Sequence, residues 1–345
     1  MLKYLQVEGS PYELGLALGR FGKDAVHTLL LPSSAWASVM AWRGSAAVAA
    51  MQQLTQERFP AIWSEIEGLA AGLELPLDEV FLWNCRGDLW AMAPDGCTTV
   101  LLPGDAEQAA QLAHNEDGLP FFQGHCAMVK ANVRGQCELV SFAYPGSIPG
   151  HTFAVNARGL GITVNNVRTR LVATGVPRMV LGRAALNLES ALAVKDLLQD
   201  SPRAGGFHFS VAQAGRPSLT SIEFTTHRVS VVEVSKPAMH ANHLVHPAMR
   251  HHPQVVTNSS GFRQERGEAL LAAAAQAGEQ AAALAILSDK HNAVFPILRL
   301  AADDSDDENT MATADMQVGK DAIRWTVLSG VDCQPQMHFV NATLV

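Results

Sequence analysis

Cys97 stands in the stretch "APDGCTTV", between an Asp-Gly pair that favours a tight turn and two threonines that favour a strand. A thiol set abruptly after such a turn is poorly suited to simple core packing and well suited to chemistry. If the Gly96–Cys97 bond were broken, the new first residue would carry both a thiol and a free α-amino group. Such an amine has an ordinary pKa of about 7.7–8.0, so it can take up a proton near neutrality. One residue then supplies nucleophile and base, and no distant histidine is needed to ionise the thiol. Gly96 is expected to adopt the backbone angles of a strained turn, leaving its carbonyl carbon open to the Cys97 thiol and to a thioester that water resolves. Thr98 and Thr99 would extend as a strand that holds the new terminus rigid. The tripeptide alone better fits an ordinary turn followed by a buried thiol.

A second group of residues points to a different class of function. The stretch "HANHLVHPAMRHH" places His240, His243, His246, His251 and His252 within thirteen residues, and imidazole is the commonest ligand for zinc or copper. A His-rich metal-binding protein or metallohydrolase is therefore the competing reading. The spacing matches neither one helical face nor strand alternation, and no HExxH accompanies it, so no metal and no cofactor is expected. Cys85, Cys97, Cys126, Cys137 and Cys333 are odd in number and irregularly spaced, which indicates neither a disulfide framework nor a paired CxxC site.

The elements that must position Cys97 change character near Ala93. In "GSPYELGLALGRFGKDAVHTLLL", Ser10 is an N-cap, Pro11 the first helical residue and Glu13 the third, a capping box. Further helices are expected in "SAAVAAMQQLTQERFPAIWSEIEGLAAGLELPLDEVFLWNCRGDLW", with a break near Leu75-Pro76, so residues 1 to about 92 read as a helical arm. From Cys97 the chain turns to short β-branched or aromatic runs: "CTTVLLP", "QLAHNED", "CELVSFAYPG", "FAVNARGLGITVNN", "SLTSIEFTTHRVSVVEV" and "MHFVNATLV". "NARG" and "TTHR" read as hairpin turns. Helical stretches at "RMVLGRAALNLESALAVKDLLQ" and "RQERGEALLAAAAQAGEQAAALAILSD" complete an α+β layered pattern. "AADDSDDENTMA" reads as a solvated acidic loop.

Composition limits the partners. The 345 residues can fill a sizeable core, and a net charge of −8 without a Lys/Arg cluster argues against nucleic acid. The opening "MLKYLQVEGSPYELG" lacks a basic end and apolar run, and no window reaches the roughly eighteen apolar residues that span a bilayer. A soluble, cytoplasmic protein with no membrane partner is expected. Self-association is left open.

The order of motifs resembles the acyl-coenzyme A:isopenicillin N acyltransferase family, N-terminal-nucleophile enzymes that cut themselves at a Gly-Cys bond within "DGCTT". The likeness runs from "GSPYELGLALG" through "EIEGLAAGLELPLDEVFLWNCRGD", "DGCTT", "HNED", "GSIPGHTFAVNARGLGITVNN", "TGVPRMVLGRAAL", "IEFTTHRV" and "HANHL" to "NAVFPILR". It implies a four-layered αββα Ntn-hydrolase sandwich made as a zymogen. Residues 1–96 would be an α chain released by self-cleavage at Gly96–Cys97, and 97–345 a β chain holding the catalytic core. It further implies that Cys97 is the nucleophile and that Asp117 orients the new amine. Asn242 would donate to the oxyanion and Arg299 would keep the thiol ionised. Asn84 and Arg86 in "NCRGD" fall on a family-like segment near the pocket, and Thr225 stands where the family tends to carry serine.

After the acyl-enzyme forms, water as acceptor makes an amidohydrolase of a small N-acyl or aminoacyl amide. An amine or a coenzyme A thioester as the other partner makes an acyltransferase. No glycine-rich phosphate loop or basic cluster stands out to seat coenzyme A, which favours hydrolysis.

Overall fold

A computed structural model describes residues 2–90, 92–93, 96–105, 107–170, 173–301, 306–330 and 333–345. Asp95 of the turn before Cys97, and Asp303 and Asp304 of the acidic run, lie outside the described residues.

The strands are β1 (Lys3–Gly9), β2 (Gly96–Leu102), β3 (Ala110–Gly118), β4 (Ala127–Val133), β5 (Leu139–Ala143), β6 (Phe153–Asn156), β7 (Leu160–Asn166), β8 (Phe207–Gln213), β9 (Leu219–Phe224), β10 (Val229–Val234), β11 (Ala238–His240), β12 (Asn309–Val318), β13 (Ile323–Ser329), β14 (Pro335–Val340) and β15 (Thr343–Leu344). The helices are α1 (Pro11–Ala25), α2 (Ser34–Met40), α3 (Ala46–Arg58), α4 (Pro60–Leu73), α5 (Leu77–Trp83), α6 (Arg86–Leu89), α7 (Arg178–Ala185), α8 (Ala191–Asp200), α9 (Asn258–Ala277) and α10 (Ala283–Leu287).

Two sheets face each other. One runs β1-β4-β5-β6-β7-β8-β9-β10 and the other β11-β2-β3-β12-β13-β14-β15. β2 lies against β7 across the sandwich, α1 and α8 pack on the first sheet, and α9 and α10 pack on the second. The layer order is thus helix, sheet, sheet, helix, the αββα arrangement that the family resemblance implies. Alternation along β2 and β3 separates two surfaces: Cys97, opposite Glu116, faces the other sheet, whereas Gly96, opposite Asp117, faces the helices.

The capping box of α1 forms as the sequence predicts. The Glu13 amide donates to Ser10 Oγ at 3.3 Å, and the Ser10 amide donates to Glu13 Oε2 at 2.6 Å. α1 and α4 then meet backbone to backbone through four glycines. A Cβ on Gly15 would stand 1.8 Å from the Glu65 carbonyl oxygen, and one on Gly68 would stand 2.0 Å from that of Tyr12, with Gly19 and Gly72 abutting beside them. Side chains there would force the helices apart.

The segment before Cys97 is not an all-helical arm. Lys3–Gly9 is a strand paired in parallel with β4, because Tyr4, Leu5 and Val7 pack on the core while the ladder satisfies their backbone groups. A buried ion pair adds a second tie, Arg183 Nε donating to Glu65 Oε2 at 2.9 Å. Burial holds the Glu65 carboxyl above its ordinary pKa, and Arg183 works against that shift. Among the described residues, no helix is long and apolar enough to cross a membrane.

Candidate active site

Cys97 is buried, and polar side chains address three of its functional atoms. Its amide N–H donates to Asn242 Oδ1 at 3.1 Å. Its carbonyl oxygen accepts from Arg263 Nη1 at 2.6 Å, and its sulfur lies 3.9 Å from Glu116 Oε2. Arg263 rises from α9, whose N-cap Thr257 accepts from the Ser260 amide at 3.2 Å. The guanidinium also donates to Thr98 Oγ1 at 2.8 Å and to Asn242 Oδ1 at 2.7 Å, so it bridges nucleophile and amide. Asn242 Nδ2 donates to the Asn166 carbonyl at 3.1 Å; its oxygen, not its nitrogen, faces Cys97.

On the inner face, hydrogen bonding fixes the state of His114. Asn165 Nδ2 donates to the His240 carbonyl at 3.0 Å, which identifies Oδ1 as the atom that accepts from the Thr99 hydroxyl at 2.7 Å. With its single proton spent, Thr99 Oγ1 accepts from His114 Nδ1–H at 2.8 Å. The other nitrogen, Nε2, is 3.1 Å from Glu116 Oε2. Burial drives the His114 pKa down to about 3, so the ring is neutral and Nε2 is an acceptor. The contact closes a buried corner in which imidazole, carboxylate and the Cys97 thiol meet.

On the outer face, Gly96 lies against a buried charge cluster. A Cβ at Gly96 would stand 2.0 Å from Glu308 Oε2 and 3.2 Å from Arg299 Nη1. Gly96 opens β2, and the turn before it lies outside the described residues. Glycine is required there because Glu308 fills the space of a side chain. Glu308 accepts from Arg299 Nη1 at 2.7 Å and from Arg168 Nη2 at 3.3 Å. Burial raises the Glu308 pKa to about 7 against the pull of Arg168 and Arg299, with Asp306 and Asp117 adding to the rise. At the end of the acidic run Asp307 is exposed, as a solvated loop would have it, but Glu308 is fully buried and Asp306 nearly so, two arginines drawing the carboxylate of Glu308 inward. Asp117 shares this face and accepts from the Thr310 hydroxyl at 2.7 Å. Thr310 borders a bulge in β12 opposite Asp117 and Glu116.

The other residues singled out from the sequence lie apart from these contacts. Asn84 clamps a turn, donating to the Val80 and Gly146 carbonyls and accepting from the Ile148 amide. Arg86 stacks over the Trp83 ring and donates to Ser147 Oγ at 3.4 Å, lining a small cavity with Phe122 and Tyr144. Thr225 caps its hairpin turn, its hydroxyl accepting from the Arg228 amide at 3.3 Å.

The histidines of "HANHLVHPAMRHH" do not converge on a cation. His240 Nε2 is 2.9 Å from Glu223 Oε1, His246 Nε2 is 2.8 Å from Ser221 Oγ, and His243 Nδ1 is 2.8 Å from Ser260 Oγ. His251 and His252 lie in the turns that follow. Among the described residues, the cluster with ligand atoms close enough to share a metal is Cys97, His114 and Glu116.

Sequence reasoning missed His114, Glu116, Arg263, Arg168 and Glu308. Period-two spacing within "HNED" was a usable signal for the first two, since a strand puts alternate residues on one face. Arg263 and Arg168 carried none, because a buried arginine is spelled like an exposed one.

The family model for acyl-coenzyme A:6-aminopenicillanic acid acyl-transferase matches residues 105–329, a span that holds Asp117, Asn242 and Arg299 and begins after Cys97. A beta-alanyl-dopamine/carcinine hydrolase of Drosophila melanogaster is 26% identical over 248 residues, covering 64% of this chain and 64% of that protein. The chain thus spans less than two thirds of that relative's length. A solved conjugated bile acid hydrolase variant from Clostridium perfringens aligns over 71% of this chain and 92% of its own, with 12% identity and a TM-score of 0.47.

Proposed function

The chain belongs to the acyl-coenzyme A:6-aminopenicillanic acid acyl-transferase family, and from that membership we propose that it is a self-processed amidohydrolase whose nucleophile is Cys97. The observation that carries the reading is the treatment of one buried cysteine. Its amide nitrogen, carbonyl oxygen and sulfur are each met by a polar side chain, from Asn242, Arg263 and Glu116. A cysteine kept only for packing has no use for that arrangement.

In the processing step the Cys97 sulfur attacks the Gly96 carbonyl carbon, the Gly96–Cys97 C–N bond breaks, and the leaving nitrogen takes the thiol proton. A Gly96 thioester remains, and water hydrolyses it to a carboxylate and a free thiol. The chain is then 1–96 and 97–345, with the Cys97 amine at Asn242 Oδ1 to receive protons in turnover. In turnover the thiolate attacks a substrate amide, the amine departs with a proton, and water resolves the acyl-enzyme. Asn242 is the side chain that would turn its amide nitrogen toward the oxyanion, and Arg299 supplies fixed positive charge beside Gly96. Asp117 lies on the face where it can orient the amine.

The name of the fly relative supports hydrolysis of an aminoacyl amine, while the family name supports transfer to another acceptor. A panel of aminoacyl amines, N-acyl amino acids and acyl thioesters, offered with and without an acceptor amine, separates the two. Release of free acid from an aminoacyl amine, lost in Cys97→Ala, is the result expected. Product that forms only when an acceptor amine is present would make the chain an acyltransferase. Full activity in Cys97→Ala would end the reading altogether.

A further inference from the structure

His114 Nε2 and the Cys97 sulfur both approach Glu116 Oε2, at 3.1 and 3.9 Å, so three atoms of metal-ligand type meet in one buried corner. We propose that Cys97 Sγ, His114 Nε2 and Glu116 Oε2 form a binding site for one thiophilic divalent cation of the zinc type, which blocks the nucleophile while it is bound. The three ligand atoms lie within 4.8 Å of one another, with sides of 3.1 Å from imidazole to carboxylate and 3.9 Å from sulfur to carboxylate. Zinc bond lengths of about 2.0–2.3 Å place the donors of a tetrahedral site about 3.3–3.8 Å apart, so shifts of up to about 1 Å close the site. A thiolate, an imidazole and a carboxylate form a donor set that selects zinc over magnesium or calcium.

The surroundings are those of a metal ligand held in place. His114 donates its other nitrogen to Thr99, and the Thr99 hydroxyl is turned by Asn165, whose amide is pinned by the His240 carbonyl. This chain leaves the Nε2 lone pair aimed at the carboxylate and cannot be reversed without breaking two further bonds. A water molecule would complete the fourth position of a tetrahedral site. As the cation enters, the thiol proton and the proton held between His114 Nε2 and Glu116 Oε2 leave to solvent. The proposal holds whichever amide the chain cleaves, and it is tested without turnover.

Metal-free full chain is titrated with zinc by calorimetry and, separately, with cobalt(II), followed in the near-ultraviolet for a thiolate-to-cobalt band. One cation per chain is expected, with a cobalt band that Cys97→Ala abolishes. His114→Asn and Glu116→Gln should each weaken zinc binding at least about tenfold, and Thr99→Val, which leaves every ligand in place, by about 10–100-fold. Circular dichroism of each variant shows that it is folded, and Thr99→Val with Cys97→Ala decides the matter if either ligand variant is not. Absence of stoichiometric zinc, or binding untouched by Cys97→Ala and Thr99→Val, would overturn the proposal. The second outcome would move the cation to the histidines around Glu223.

Discussion

Replacing Gly96 with alanine tests whether the residue before the nucleophile is there for space. The new Cβ would stand 2.0 Å from Glu308 Oε2, where real contacts do not fall below about 3.0 Å, so the carboxylate must retreat by about 1 Å. It has little freedom to do so, being fully buried and held by Arg299 at 2.7 Å and Arg168 at 3.3 Å. Deleting one partner of a buried pair costs about 3–5 kcal/mol; displacing it by overpacking costs about 1–3 kcal/mol. We therefore expect Gly96→Ala to lose about 1–3 kcal/mol, measured by urea unfolding in a Cys97→Ala background where no cut can intervene. With Cys97 present, a carbonyl displaced by about 1 Å should slow processing by about 100-fold, followed on denaturing gels after synthesis. Glu308→Asp withdraws the carboxylate by one methylene. Combined with Gly96→Ala it should recover part of the lost stability, a coupling of about 1 kcal/mol in a double-mutant cycle. Gly96→Ala that is neutral in stability and cut at the normal rate would refute the packing of Gly96 on Glu308.

Asn242→Ala should still be cut but lose about 100- to 1,000-fold in turnover, measured as kcat on the cleaved protein. It should also be less stable by about 1–3 kcal/mol, because Arg263 Nη2 loses its acceptor. If a cut is made, the parts should stay together: β1 is bonded to β4 and Glu65 to Arg183, so size exclusion should give one species that urea separates into two. Asp88 gives a pH test. Burial raises its pKa to about 7 despite Arg178, whereas the unfolded chain ionises near about 3.9. Its stabilising contribution is whole below the unfolded value and lost as pH rises through 7, so Asp88→Asn should flatten that decline by about 1.4 kcal/mol per pH unit, read from urea midpoints.

Local signals were legible in the sequence, and long-range ones were not. Ser10, Pro11 and Glu13 specify the start of α1 within one turn of chain, and "NARG" and "TTHR" specify hairpins whose strands are adjacent. β12 was hidden because its pattern emerges from an acidic run, and its partner β3 lies far away in sequence, Thr310 meeting Asp117 across 193 positions. β1 was absorbed into the helix that follows it. At the site, resemblance pointed to Cys97, Asp117, Asn242 and Arg299. It could not supply Arg263, 166 residues from the cysteine it holds, or Glu308, which reads as one more surface acid until two buried arginines are seen around it. Gly96 was noticed for its backbone freedom, whereas its lack of a side chain, which Glu308 packs against, could be seen only in the fold.

Cys97 as a first residue is the claim on which the rest depends. Protein purified under gentle conditions should be denatured, its intact masses measured and its fragments sequenced from their amino termini. Two fragments are predicted, the larger beginning Cys-Thr-Thr and the smaller ending at Gly96, while Cys97→Ala gives one unbroken chain. Fully active wild-type protein that shows a single mass for all 345 residues would contradict the account.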